Sequence, residues 1–151
     1  MAMFEIGTGD MLHAKVDAIV NPVNTEGVMG KGLALQVKRA FPDVFQAYAL
    51  GCRRGEIVIG KVHVVVERRD PWFFVINFPT KQSWRQPSRL EYIDAGLVDL
   101  VKHVRGHDIQ SIAIPPLGCG LGGLDWAVVK PRIVEAMSAL PDVRVVLFVP
   151  L

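Results

Sequence analysis

Cysteine is scarce in this chain. Of 151 residues only Cys52 and Cys119 are cysteines, too few for a disulfide framework and without the spacing of a zinc site. No segment approaches the ~18 apolar residues of a membrane span, and no secretory leader pattern opens the chain. The expectation is a reduced, cytoplasmic protein that holds no metal. An excess of one charge is also missing. The 17 Lys and Arg against 15 Asp and Glu leave a net charge of +2, which permits a phosphate-bearing partner without demanding one. No G-K-[ST] step follows any glycine-rich loop, so a Walker-type nucleotide hydrolase loses support. Disorder is excluded by a composition that is 50% hydrophobic and 21% charged. Repeats, linkers and low-complexity stretches are absent, so residues 1–151 read as a single domain. The chain stops right after its last apolar run, which suggests one domain cut from a longer protein.

Short apolar runs alternate with longer amphipathic segments. Strands are predicted at 3–6, 18–21, 61–67, 72–78, 111–115 and 144–149, most of them near-continuous β-branched or aromatic runs such as WFFVIN and SIAIP. Such runs suit strands covered on both faces. Helices are predicted at 32–41, 43–54, 89–105 and 126–140. In the first, Leu33, Val37 and Phe41 recur at helical spacing; Pro42 separates the first two, and Pro87 or Ser88 starts the third. The order β–β–α–α–β–β–α–β–α–β gives a three-layer α/β/α fold with a mixed central sheet.

Open α/β sheets take ligands outside the carboxyl ends of their strands, and four unusual segments sit there. GTGDML carries Gly9, Asp10 and Met11. Its aspartate either accepts from an exocyclic amine such as adenine's or simply caps a turn. NPVNTEGVMGKGLAL carries two asparagines out of a strand, and its glycines then open a helix whose N–H groups suit an anion. PPLGCGLGGLDW repeats the strand–glycine loop–helix pattern and reads as a diphosphate cradle made of backbone N–H groups, with Asp125 as the helix cap. Cys119 lies inside it without a histidine placed to serve as its base, so a nucleophilic thiol is a minor reading. The four histidines, His13, His63, His103 and His107, read as ordinary. NFPTKQSWRQPS places Lys81 behind Thr80 just past a strand, either as a solvated lysine or as the centre of the chemistry. Trp84 and Arg85 behind it are either a rim for nucleic acid, a stacking platform plus a phosphate-pairing cation, or loop residues packed on Pro87.

Taken in order, GDML, DAIVNPVN, the glycine-opened helix and PPLGCGLGGLDW resemble the macrodomains, the ADP-ribose-binding fold, over nearly the whole chain. MGKGLALQVKRAFP and NFPTKQSWRQPS narrow the resemblance to the branch with terminal ADP-ribose protein glycohydrolase. Within that branch the chain is most similar to the DarG-type antitoxins, which remove ADP-ribose from thymine bases in single-stranded DNA. That resemblance implies site residues at matching positions. Asp10 would bind the adenine amine, with Gly9 and Met11 packing beside it, and Val20, Asn21 and Asn24 would lie near the distal ribose. Gly30, Lys31, Gly32, Leu33, Ala34 and Leu35 would line the ribose and phosphate, Gly118, Cys119, Gly120, Leu121 and Gly122 would wrap the diphosphate, and Thr80 would flank Lys81. It also implies Lys81 as the catalytic residue, no cofactor beyond ADP-ribose itself as ligand and product, ADP-ribosylated DNA as substrate, and a cognate ADP-ribosyltransferase toxin met through regions outside this chain. One position departs. The protein glycohydrolase has an acidic residue where this chain has Gly122, which favours a better leaving group than a protein side chain. The competing readings are a non-catalytic ADP-ribose reader and a glutamate-linked protein glycohydrolase.

Cleavage at the anomeric carbon normally uses two carboxylates, and these loops supply no such pair. Lys81 would act either as a neutral amine attacking that carbon or as an ammonium assisting the leaving base. The resemblance favours the covalent route.

Overall fold

The computed structural model describes residues 3–150. The strands are β1 (Met3–Gly7), β2 (Ala18–Asn24), β3 (His63–Arg69), β4 (Trp72–Lys81), β5 (Ser111–Ile114) and β6 (Arg144–Phe148). The helices are α1 (Gly32–Ala40), α2 (Pro42–Arg53), α3 (Leu90–Gly106) and α4 (Trp126–Met137), and a 3-10 turn spans Met11–His13. The strands form one sheet in the order β1-β6-β5-β2-β4-β3. All neighbouring pairs are parallel except the β3–β4 hairpin. None of the helices among the described residues is long and apolar enough to cross a membrane.

The period-2 side-chain alternation of β2 and β4 divides the apolar residues between the sheet's two faces. Ala18, Val20, Phe74, Ile76 and Phe78 join a core with Leu97 and Leu100 of α3 and Ile133 of α4. Ile19, Phe73 and Val75 meet Val37 of α1 and Val44 of α2 on the opposite face. Helices therefore cover both faces, the expected three-layer arrangement. The expectation of full cover fails at the sheet's edges, because β1 and β3 lie outermost and keep half-exposed residues. Gly96 allows α3 to lie close on β4: a Cβ there would enter the Phe78 ring, 2.6 Å from Cε1. We expect Gly96→Ala to cost about 1–3 kcal/mol through overpacking, read as a fall in thermal midpoint of roughly 3–10 °C. An unchanged midpoint would show that α3 shifts freely.

β2 and β4 run further than their apolar patterns suggest. They stay in register from Ala18↔Phe74 through Asn21↔Asn77 to Asn24↔Lys81, with a bulge at Val23/Asn24. Lys81 thus ends a strand instead of starting a loop. Prolines seldom sit inside central strands, yet Pro22 and Pro79 are found in these two. On its other side β2 pairs with β5 only at Ala18 and Ile19. Beyond Ile19 the two strands part, so the missing N–H of Pro22 disrupts no bond on that side. The carboxyl ends of β2 and β5 are thus unpaired with each other, the place where open α/β sheets take ligands in a crevice.

Candidate functional site

Three loops leave the carboxyl ends of the adjacent strands β5, β2 and β4, beside this crevice: 25–31 from β2, 82–89 from β4 and 115–125 from β5. The first is held from within by Asn24. Its Oδ1 accepts from the Glu26 N–H at 3.0 Å, and its Nδ2 donates to the Val28 carbonyl at 2.9 Å. The Tyr48 hydroxyl lies 2.8 Å from both the backbone and side-chain oxygens of Asn24 and accepts from Gly27 N–H. Burial pushes the Tyr48 phenol far above its ordinary pKa, so it remains a donor. Both ends of the Asn24 amide are therefore spent on loop shape. Behind this loop α1 begins at Gly32, in a left-handed conformation at φ +58°. Lys31, at the cap position, gives no side-chain bond, which leaves the first-turn N–H groups open to an anion. Leu33 and Ala34 turn partly inward onto apolar clusters, Leu35 is half-buried, and Gly30 is exposed. Contact from this stretch therefore falls chiefly to backbone.

The glycine loop is pinned at both ends. Leu124 N–H donates to Gly118 O at 2.9 Å, Cys119 N–H to Pro116 O at 3.1 Å, and Ser88 N–H to Gly122 O at 3.0 Å. Among the described residues the N–H groups of Gly120, Leu121 and Gly122 have no intramolecular partner, so three consecutive donors are open to a diphosphate. Gly122 is compelled by contact: a Cβ there would strike Ser88 Oγ and lie 2.5 Å from Gly118 O. The departure noted in the sequence therefore has a steric cause. Ser88, expected as a helix start, is instead buried under this loop, its hydroxyl without a hydrogen-bond partner among the described residues. Arg89 holds the cap position of α3. Asp125 caps α4 by accepting from Ala127 N–H at 2.9 Å. Burial, and then the Asp125 carboxylate, push the Cys119 thiol up, which disfavours the thiolate and hence a nucleophilic role. Leu121 at the loop's tip is 68% exposed.

Lys81 is half-buried at the last rung of β4, opposite Asn24, and among the described residues none of the ion pairs includes it. Its loop is tied to the neighbouring one, with Thr25 Oγ1 donating to Gln82 O at 2.7 Å. Thr80 is buried beside it, its hydroxyl 3.5 Å from Val23 O. Trp84 is 48% exposed, with the Arg85 guanidinium 4.8 Å above its ring. The pair stands outward as a cation–π platform instead of packing inward.

At the far end Asp10 realises the turn-cap reading, accepting from Leu12 N–H at 2.9 Å, while its other oxygen lies 3.5 Å from His13 Nδ1. Asp10 borders two hollows. The larger, about 740 Å³, lies toward Phe41, Arg68 and Phe73 and away from Lys81. The smaller, about 340 Å³, includes Gly9's neighbour Thr8, Gly7 and Phe148. Two expected contact residues are turned away. Met11 is buried in the α1-side core, and Val20 points into the α3–α4 core, so neither side chain reaches the crevice. Phe148, missed in the sequence, is the aromatic beside Asp10. Its ring lies over Gly7, 2.5 Å from where a Cβ would sit. An aromatic at the end of the last strand, opposite a strand-ending glycine, was the available signal. Asn21 is fully buried three residues short of the strand end.

A family model described as Macro domain matches residues 20–133. The DNA ADP-ribosyl glycohydrolase of Mycobacterium tuberculosis is 53% identical over 149 residues, a match covering 98% of this chain and 42% of the relative. The chain thus spans about two fifths of the length of the curated relatives it matches. The solved macrodomain of M. tuberculosis DarG superposes with a TM-score of 0.97 at 51% identity over 100% of both chains. Thermosipho africanus DarTG, solved in complex with ADP-ribose, gives a TM-score of 0.92 at 34% identity, over 100% of this chain and 42% of that one. The chain belongs to the Macro domain family and groups within it with the DarG macrodomains.

Proposed function

We propose that this domain is a DNA ADP-ribosyl glycohydrolase that frees ADP-ribose from thymine bases of single-stranded DNA, with Lys81 as its catalytic residue. The observation that carries the reading is the place of Lys81. It ends β4 opposite Asn24, where the loop leading to α1 begins, and the loop that follows it is bonded to the glycine loop through Ser88 N–H and Gly122 O, in a fold whose solved DarG counterpart is 51% identical over its full length. Support for the substrate comes from the relatives' printed activity and from Gly122, where packing forbids the carboxylate that would help a poorer leaving group depart.

In this reading the adenine lies by Asp10, with Phe148 in place of Met11 beside the ring. The diphosphate takes the amides of 120–122 and the start of α1, and the distal ribose lies toward Lys81. The neutral Lys81 amine attacks the anomeric carbon as the bond to the thymine nitrogen breaks. The electron pair leaves with the base, which then takes up a proton. The amine, now bonded to the anomeric carbon, loses a proton. Cleavage of the bond from that carbon to the ring oxygen, which takes up a proton, opens the ribose to a Schiff base. Water adds to the imine carbon, the lysine departs as the amine, and the freed aldehyde recloses to ADP-ribose. Trp84 and Arg85 would receive the neighbouring nucleotides. A toxin partner is proposed on the ground that a relative is a transferase–glycohydrolase fusion.

The test is a side-by-side incubation with thymidine-modified single-stranded DNA and glutamate-modified protein. Release from DNA and not from protein is expected. Binding of free ADP-ribose with no release from either would leave a reader module and sink the enzyme reading, and preferential release from protein would move the substrate.

A further inference from the structure

Asn21, Asn77 and His63 stand in one row across β2, β4 and β3, because the register pairs Asn21 with Asn77 and Asn77 with His63. Asn21 Nδ2 donates to Asn77 Oδ1 at 2.9 Å, and Asn77 Nδ2 lies 3.1 Å from His63 Nδ1. Both asparagines are fully buried. An amide can be turned end for end at little steric cost, so only its partners decide which end points where. In the structure the Asn77 oxygen faces Asn21 and its nitrogen faces His63, an order that holds when the neutral His63 ring carries its proton on Nε2 and accepts at Nδ1. Asn77 must then face it with nitrogen and face Asn21 with oxygen. Asn21 in turn must give its nitrogen to Asn77, which leaves Oδ1 as its free end. That oxygen is buried with no hydrogen-bond partner among the described residues. An unpaired buried acceptor is costly, and such an atom in a native structure calls for an explanation.

We propose that His63 and Asn77 are positioning residues that hold the Asn21 amide oxygen as the acceptor for a hydroxyl of the bound distal ribose. The inference rests on the reading of this crevice as an ADP-ribose site. Of the ligand's parts near Lys81, the ribose hydroxyls donate and the diphosphate does not, so an acceptor selects the sugar. Asn21 lies on the stretch of β2 that has parted from β5. Met29 Sδ is 4.0 Å from the amide nitrogen, so the cover over this residue is a flexible thioether leading into the glycine-opened helix. The surroundings of His63 keep it able to accept. Its Nε2 lies toward α2, 3.6 Å from where a Cβ on Gly51 would sit. Burial holds the imidazole below its ordinary pKa, and Glu56 is the charged group opposing that shift.

The experiment compares ADP-ribose with ADP, which lacks the distal ribose, by titration calorimetry. His63→Phe keeps a ring and removes the acceptor, and His63→Leu does the same with a different shape. His63→Asn restores an acceptor near the Nδ1 position. We expect both acceptor-free variants to lose roughly five- to tenfold in ADP-ribose affinity, the scale of one hydrogen bond, with ADP affinity unchanged. The asparagine variant should recover most of the loss. Equal weakening of both ligands would mean a merely structural role and overturn the inference, as would no change in the acceptor-free variants or failure of asparagine to restore binding. A wild-type protein that does not bind ADP-ribose would instead remove the functional reading, and this one with it.

Discussion

Lys81→Ala is expected to abolish release of ADP-ribose from DNA, by at least ~10³-fold, the scale on which removing a single chemical group stops an active site. The Kd for free ADP-ribose should change little. The separation follows from where the donors are. In the proposed reading binding falls to backbone, the amides of 120–122 and the uncapped first turn of α1, which a truncation at the end of β4 leaves in place. No ion pair among the described residues depends on Lys81, so its loss strands no buried partner. Lys81→Arg sharpens the test. It keeps the positive charge and removes a nucleophile that can form a Schiff base, so it should be as inactive as the alanine variant if the covalent route holds. A substantially active arginine variant would assign an electrostatic role instead. Borohydride added during turnover should leave ADP-ribose on the peptide containing Lys81. Hydrolysis that continues at the wild-type rate in Lys81→Ala would remove Lys81 from the chemistry altogether.

The loops at the sheet's carboxyl end were legible in outline because their determinants are local. Strand runs ending in glycine-rich segments place the loops, and an α/β alternation places those loops at one end of the sheet. What stayed hidden depends on sidedness and on contacts distant in sequence. A shift of one residue along a strand exchanges its faces. Hence Val20 could be assigned to the ligand although it points into the α3–α4 core, while its neighbour Asn21 faces the other way. Met11 follows a recognisable GD pair, but the 3-10 turn rolls it into the core. His63 reads as one polar residue before a valine run, and only the pairing of β3 with β4 reveals that it reaches Asn77. Ser88 looks like a helix cap because it precedes a helix. Its true neighbours, Gly118 and Gly122, lie thirty or more residues away. The lengths of β2 and β4 were underestimated for a related reason: Pro22 is tolerated once β2 has left β5, and Pro79 lies beyond Asn77, the last residue of β4 paired with β3.

Gly122→Asp is expected to break the cradle instead of supplying the absent carboxylate. The new Cβ would collide with Ser88 Oγ and sit 2.5 Å from Gly118 O and 2.9 Å from Gly118 C. Ser88 is buried and its backbone N–H is bonded to Gly122 O, so it cannot withdraw without giving up that bond. Gly118 is itself fixed at φ +73° and accepts from Leu124 N–H. The loop must therefore move as a unit, carrying the open N–H groups of 120–122 out of line. We expect a stability loss of about 1–3 kcal/mol from overpacking and a loss in ADP-ribose affinity of at least ~10-fold, equivalent to one good hydrogen bond. Thermal melts and calorimetry would read the two separately. Ser88→Gly in the same chain should restore only part of either quantity, because the contact with Gly118 is to backbone and remains. If Gly122→Asp instead bound ADP-ribose normally and began to release it from glutamate-modified protein, steric exclusion at position 122 would not be what sets the substrate. The choice between DNA and protein would then lie with the rim formed by Trp84 and Arg85.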